Sequence, residues 1–177
     1  MVPLNKKYLR NAKKTILIVG EGPTEKAFLL HIKELYISRE DNLSVKVECG
    51  AGGSPASVAH RANRLKQSAD YDKCFLIIDA DTCTQEAKNM LKRRPAMEII
   101  LVTPCIEGLF LAILKGNAFS QTGISSAECK RRFENNHLDR DKKTEKCKYS
   151  GLFTKTMLDE ARSRLLELDM ILKAFNK

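Results

Sequence analysis

Four short apolar runs, each closed by a polar turn and followed by helical periodicity, constrain this chain more than any other feature. The first is Thr15–Val19, β-branched and closed by Gly20-Glu21-Gly22-Pro23. The second, Leu43–Cys49, alternates with Val45 and Val47 on one side. The third is Cys74–Ile78, which ends abruptly at Asp79-Ala80-Asp81, and the fourth is Met97–Val102, broken by Thr103-Pro104. Runs of this length without alternation fit strands covered on both faces, as in a parallel sheet. Helical patterns fill the intervals. Phe28, Leu29, Ile32 and Leu35 mark one face of a helix capped near Thr24. Ser54-Pro55 reads as an N-cap with proline in the first turn of a helix to about Ser68. A third helix spans about Thr84–Arg93, and Ile106–Leu114 is apolar enough to be a buried fourth. Strand–helix alternation with short connections predicts an α/β fold. Its mostly parallel central sheet of about four strands is flanked by helices.

After Lys115 the alternation stops, and a C-terminal helical extension is expected. Ser125–Glu134 reads as a helix and the charged stretch His137–Tyr149 as a mobile loop. Phe153–Phe175, with Met157, Ala161, Leu165, Leu168 and Leu172 at helical spacing, reads as one long amphipathic helix. At 177 residues the chain is expected to form a single domain: a basic arm (1–14), a core (15–115) and a helical, charged extension (116–177).

The formal net charge is +9, unevenly spread. Residues 1–14 carry five basic residues and no acid, and residues 115–177 carry fourteen basic against nine acidic. The stretch between them is close to neutral, with twelve against thirteen. Basic ends around a neutral centre suit a polyanionic partner and equally suit a solvated surface. As nucleic-acid contacts the candidates are Lys13, Lys14, Arg131, Arg132, Arg140, Lys142 and Lys143. The six cysteines form no Cys-x-x-Cys pair, and the three histidines show no ligand spacing. Free thiols in a reducing cytoplasm are expected, without a zinc site. No secretory h-region and no membrane-length apolar run are present, so the expectation is a cytoplasmic protein with no membrane partner.

Acids stand where three of the four strands end. Glu21 and Glu25 follow the first strand, Asp79 and Asp81 the third, and Glu107 the fourth. In parallel α/β sheets ligands bind at the carboxyl ends of the strands. The i, i+2 spacing of Asp79 and Asp81 would aim both carboxylates one way on an extended backbone. Five carboxylates with no obvious Lys or Arg between them repel one another unless a cation neutralises them or some take up protons. Oxygen donors suit Mg²⁺ or Mn²⁺, and such ions support phosphodiester cleavage. Taken singly, each acid has a plainer reading: a loop acid for Glu21, an N-terminal helix acid for Glu25, a helix cap for Asp79. Gly50–Ser54 has the look of a phosphate cradle but lacks the ending of a P-loop and the spacing of a dinucleotide fingerprint, so a simple turn is preferred.

Several segments together resemble a known family. ILIVGEGPTEKAF (residues 16–28) resembles the first strand and acidic turn of Toprim domains, within them that of RloB-like proteins. These in turn are similar to the Toprim part of overcoming-lysogenization-defect nucleases. GAGGSPASV (50–58), FLIIDAD (75–81) and TPCIEGLFLAIL (103–114) agree, the last most distinctively. The resemblance covers about residues 15–115, with a looser echo at Lys146–Tyr149. It departs from the family pattern in a shorter acidic turn, in Thr82-Cys83 after Asp81, and in Leu109-Phe110 where a tryptophan is usual.

The resemblance implies a Toprim-like sheet and a Mg²⁺- or Mn²⁺-dependent nuclease acting on DNA or RNA, tRNA included. It also implies a role as an effector of bacterial phage defence (abortive infection) beside an AAA- or ABC-type ATPase. Carried over, Glu21 is the acid/base or first metal ligand and Glu25 a ligand of the same group. Asp79 and Asp81 hold metal, Glu107 completes or braces the site, and Lys146 or Lys148 is the lysine near the reacting phosphate. The alternatives are a non-catalytic nucleic-acid-binding module and a subunit that docks an ATPase.

Overall fold

The computed structural model describes residues 13–50, 54–93, 96–121 and 123–176. The basic arm up to residue 12 and the centre of the glycine-rich turn, residues 51–53, lie outside the described residues. Strands β1 (Lys14–Gly20), β2 (Leu43–Cys49), β3 (Lys73–Asp79) and β4 (Glu98–Val102) form one sheet in the order β2-β1-β3-β4. Every pairing is parallel, with Ile18 opposite Val47, Val19 opposite Leu76, and Asp79 opposite Val102. Helix α1 (Pro23–Tyr36) follows β1, α2 (Pro55–Ser68) follows β2, α3 (Gln85–Lys92) follows β3 and α4 (Ile106–Lys115) follows β4.

Both faces of the sheet are covered, which is why the central strands read as unbroken apolar runs. Ile16, Ile18, Val45, Val47, Phe75 and Ile77 share a core with Phe28, Ile32 and Phe110. Leu17, Val19, Cys74, Leu76 and Ile78 face the other way, onto Val58, Ala62 and Leu65 of α2. Local chemistry sets the helix starts. Ser54 Oγ accepts the Ser57 N–H at 3.2 Å and Pro55 opens α2, whereas at α1 Gly22 precedes Pro23.

Two expectations for the extension are corrected. Residues 137–149 are not a loop: Arg140–Thr144 is a 3-10 turn and Lys146–Tyr149 a short helix, α6. Two buried side chains, Lys143 and Tyr149, hold this charged segment down, and the Tyr149 hydroxyl donates to the Lys143 carbonyl at 2.8 Å. The long terminal helix is two helices, α7 (Lys155–Arg162) and α8 (Leu166–Ala174), because the chain is extended at Leu165. The expected helix before them is α5 (Ser126–Asn136).

The extension belongs to the main core rather than lying beside it. Phe28 of α1 and Phe110 of α4 meet at 4.8 Å between ring centroids, and Phe110 also meets Phe133 at 5.1 Å and Phe153 at 5.3 Å. The buried ring of His31 meets the Phe153 carbonyl at 2.7 Å, tying α1 to the start of α7. All six cysteines are free. No helix among the described residues is long and apolar enough to cross a membrane.

Candidate active site

The chain leaves β1 towards one edge of the sheet and β3 towards the other, so the carboxyl ends of these neighbours form a switch point, the usual place for a ligand. Here the acids gather. Glu21 stands just past β1 and is 8% exposed; Asp79 is the last residue of β3 and is 5% exposed. Glu21 Oε2 accepts the Asp79 N–H at 3.2 Å and the Thr82 hydroxyl at 2.9 Å. Glu25, in the first turn of α1, accepts the Gly22 N–H at 2.8 Å. Asp79 Oδ1 accepts the Ile106 N–H at 3.0 Å, where the partial positive charge of the α4 N-terminus favours a carboxylate. Glu107, the next residue, is 2% exposed.

A glycine makes the tight entry into α1 possible. A Cβ on Gly20 would stand 2.6 Å from the Glu25 Cβ, well inside contact distance. Gly20→Ala is therefore expected to push Glu25 and the first turn of α1 aside, at about 1–3 kcal/mol of stability, measurable as a lower urea midpoint.

Burial and crowding act on the acids together. Burial first, then the charges of Glu25, Glu21, Glu107 and Asp81, push the Asp79 carboxyl up to about 8. Burial also raises Glu25, reinforced by Glu107 and Glu21 and opposed by its backbone hydrogen bonds.

One cation was missed in the sequence. The Lys143 ammonium, read there as a nucleic-acid contact, is buried between Glu107 Oε1 at 2.7 Å and Glu134 Oε1 at 2.8 Å. Burial alone would lower its pKa, but these two ion pairs win and hold it above the ordinary lysine value. The reading that no lysine lies among the acids is thus corrected. The aim expected of Asp79 and Asp81 is corrected too: β3 ends at Asp79, and Asp81 lies in the following turn with its side chain exposed. The turn is held by the Ala80 N–H on the Val102 carbonyl (2.9 Å) and the Asp81 N–H on the Pro104 carbonyl (3.2 Å).

A cavity of about 400 Å³ opens over this group. Glu25, Asp79 and Glu107 form its acidic side. Lys130 and Glu134 of α5 face them, with Arg140 and Lys143 of the 3-10 turn.

Among the described residues, no three His, Cys, Asp or Glu side chains converge as a ready set of metal ligands. The reason is local: carboxylate oxygens are turned towards backbone N–H groups, Thr82 and Lys143. The donors nevertheless fit a hard divalent cation in kind, being all carboxylate. One of them, Glu107 Oε2, is buried with no hydrogen-bond partner, an unmet need that a cation would satisfy. Convergence on an ion requires the carboxylates to rotate.

The structure does not bring the remaining candidates to this cavity. Lys146 pairs with Glu34 on the side of α1, and Lys148 stands 3.9 Å from Glu145, so neither lysine lines the acid site. Arg131 and Arg132 are both held by Glu128, at 2.7 and 2.6 Å, and Lys142 by Asp139 at 2.5 Å. Lys13 is exposed and Lys14 reaches Asn176 at 3.3 Å; both lie where β1 begins, about 20 Å from its carboxyl end at the usual strand rise. Arg140 alone of the nucleic-acid candidates joins Lys143 at the cavity. Sequence reasoning missed Lys130, Glu134 and Thr82. For the first two, a usable signal was the Cys129/Phe133 pair, whose burial sets which side of α5 turns to the cavity.

The family model described as RloB-like protein matches residues 16–174, nearly the whole chain. No curated protein and no solved structure matches it.

Proposed function

The chain belongs to the RloB-like family, and from that premise we propose that it is a metal-dependent phosphodiesterase acting on nucleic acid. One observation carries this reading. Four buried carboxylates, Glu21, Glu25, Asp79 and Glu107, gather at the ends of the two central strands and at two helix starts, offset among the described residues by one buried ammonium, that of Lys143. A fold that keeps so much uncompensated acid in one place destabilises itself unless the acids serve a ligand. Glu25, Asp79 and Glu107 would hold Mg²⁺ or Mn²⁺, with Asp81 at the exposed margin. When bound, such an ion activates water and stabilises the leaving oxygen. Glu21, fixed by Thr82 and the Asp79 N–H, is suited to take or return a proton as the acid/base. Lys143 holds Glu107 in place through its ion pair at 2.7 Å.

The wider role follows from the family resemblance: a cytoplasmic effector of phage defence that works with an AAA- or ABC-type ATPase. The test is cleavage of end-labelled tRNA, single-stranded DNA and plasmid by the purified protein with Mn²⁺ or Mg²⁺, beside an Asp79→Asn/Asp81→Asn variant. Cleavage by the wild type alone is expected, and the cut substrate fixes the class. Equal cleavage by the variant would remove the acid cluster from the mechanism.

A second reading has an observation of its own. Most of the acids are already engaged by protein donors, which suits a structural cluster in a non-catalytic nucleic-acid-binding module. Intact substrate after long incubation, with tight and salt-sensitive binding, would favour it. Leu166 and Met170, exposed on α8, suit the reading of an ATPase-docking subunit. Cleavage that starts only when the ATPase is added would join that role to the first.

A further inference from the structure

The basic residues around the cavity differ in how they are engaged. Lys143 is held by two carboxylates, Arg131 and Arg132 share Glu128, and Lys142, Lys146 and Lys148 each have an acidic partner. Lys130 and Arg140 line the cavity, and among the described residues neither meets a carboxylate at ion-pair distance. Helix phase explains the contrast within Lys130-Arg131-Arg132. Cys129 and Phe133 are buried in the core, which leaves Lys130 beside the acids and turns the two arginines to the outer surface. Lys130 interacts with Glu107, Asp79 and Asp81, and these charges outweigh its partial burial and keep it protonated. Arg140 is exposed at the mouth, with a guanidinium fork whose geometry matches phosphate oxygens.

The acids on the opposite side are recessed. Glu25, Asp79 and Glu107 are between 2% and 6% exposed, at the floor of the cavity. A double helix, stiff over about 150 base pairs, presents its phosphates on a convex surface and cannot fold one of them inward. An unpaired strand can turn a phosphate into the cavity while its neighbours stay at the mouth.

We propose that Lys130 and Arg140 are substrate-positioning residues that grip successive phosphates of an unpaired nucleic-acid strand, so that the cavity selects single-stranded segments over duplex. This deepens the function proposed above and rests on it for the identity of the ligand, but its test needs no turnover. In the full-length Asp79→Asn/Asp81→Asn background with EDTA, fluorescence anisotropy would follow a labelled single-stranded oligonucleotide and the same sequence as a duplex, across a salt series. Adding Lys130→Gln/Arg140→Gln is expected to weaken single-strand binding by on the order of tenfold per residue. It should also flatten the log–log salt slope by about 0.7 per lost contact. The charge-keeping Lys130→Arg/Arg140→Lys pair should retain most of the affinity, which excludes misfolding as the cause. Arg131→Gln/Arg132→Gln should change little, and duplex should bind more weakly than single strand.

Equal losses from the Arg131/Arg132 variant, duplex binding as tight as single-strand binding, or no binding at all would each overturn the proposal. If this binding pattern holds while the wild type with Mn²⁺ cleaves nothing, alone or with the ATPase added, hydrolysis is refuted and the positioning role stands.

Discussion

Asp79→Asn is expected to make the metal-free protein more stable at pH 8 while abolishing cleavage. Burial, then the charges of Glu25, Glu21, Glu107 and Asp81, raise the folded Asp79 carboxyl to about 8, whereas an unfolded aspartate titrates near 3.8. Between those values the folded protein keeps a proton that the unfolded chain releases. Wild-type stability contributed by the protonated carboxyl is full below about pH 4 and falls as pH rises through about 8. At about 1.4 kcal/mol per unit the loss is on the order of 5 kcal/mol. Glu25, raised in the same direction, adds to it. Asparagine has no charge to lose, and its side-chain oxygen can still accept the Ile106 N–H. Urea denaturation in EDTA at pH 5 and pH 8 is the measurement: the wild-type midpoint should drop between them far more than that of the variant. Added Mg²⁺ should restore the wild type at pH 8 and leave the variant nearly unchanged, because only a ligand bound by the native state stabilises it. A wild type more stable at pH 8 than at pH 5 would show that the acids are not in conflict.

Lys143→Met is expected to destabilise the protein by about 3–5 kcal/mol, the usual effect of removing one partner from a buried ion pair. The methionine replaces much of the lysine stem, so lost packing is a minor part. What remains is the Glu107 carboxylate, 2% exposed and already lacking a partner on Oε2, now without the ammonium at 2.7 Å. Glu134, less deeply placed, loses its partner at 2.8 Å as well. Adding Glu107→Gln should recover a large part of the loss. The two single variants and the double variant form a thermodynamic cycle, read by urea denaturation, whose coupling isolates the pair. A Lys143→Met protein as stable as wild type would mean that Glu107 is neutralised by something other than this lysine.

What the sequence revealed and what it hid follow from how each feature is encoded. The central strands are covered on both faces, so Ile16–Val19 and Phe75–Ile78 show as continuous apolar runs whatever the register. The acids at their ends are fixed by chain order, so Glu21, Glu25, Asp79 and Glu107 could be placed without knowing any distance. Asp81 could not, because the end of the strand lies between it and Asp79. The segment 137–149 reads as solvated because its composition is charged, yet one lysine and one tyrosine decide its fate. Composition cannot tell a buried lysine from an exposed one, since the difference lies in Glu107 and Glu134 on other elements. The same holds for Lys130, which only the phase of α5 separates from its two arginine neighbours. The break between α7 and α8 is equally silent, because Leu165 keeps the apolar spacing through it.

The aromatic cluster joins Phe28, Phe110, Phe133, Tyr149 and Phe153, rings drawn from the beginning, middle and end of the chain. On the ribosome this has a consequence for timing. The sheet and all the acids are synthesised by residue 107, but the lysine that neutralises Glu107 follows 36 residues later. Of the rings that cover α1 and α4, Phe133 precedes that lysine, whereas Tyr149 and Phe153 emerge later still. A nascent chain stopped at residue 115 would carry Glu107 without its counter-charge and Phe28 and Phe110 without their cover, and exposed apolar surface of this kind is what chaperones bind. Assembly of the site is thereby deferred until Lys143, Tyr149 and Phe153 have been made, and a product cut short before them has no finished site to release.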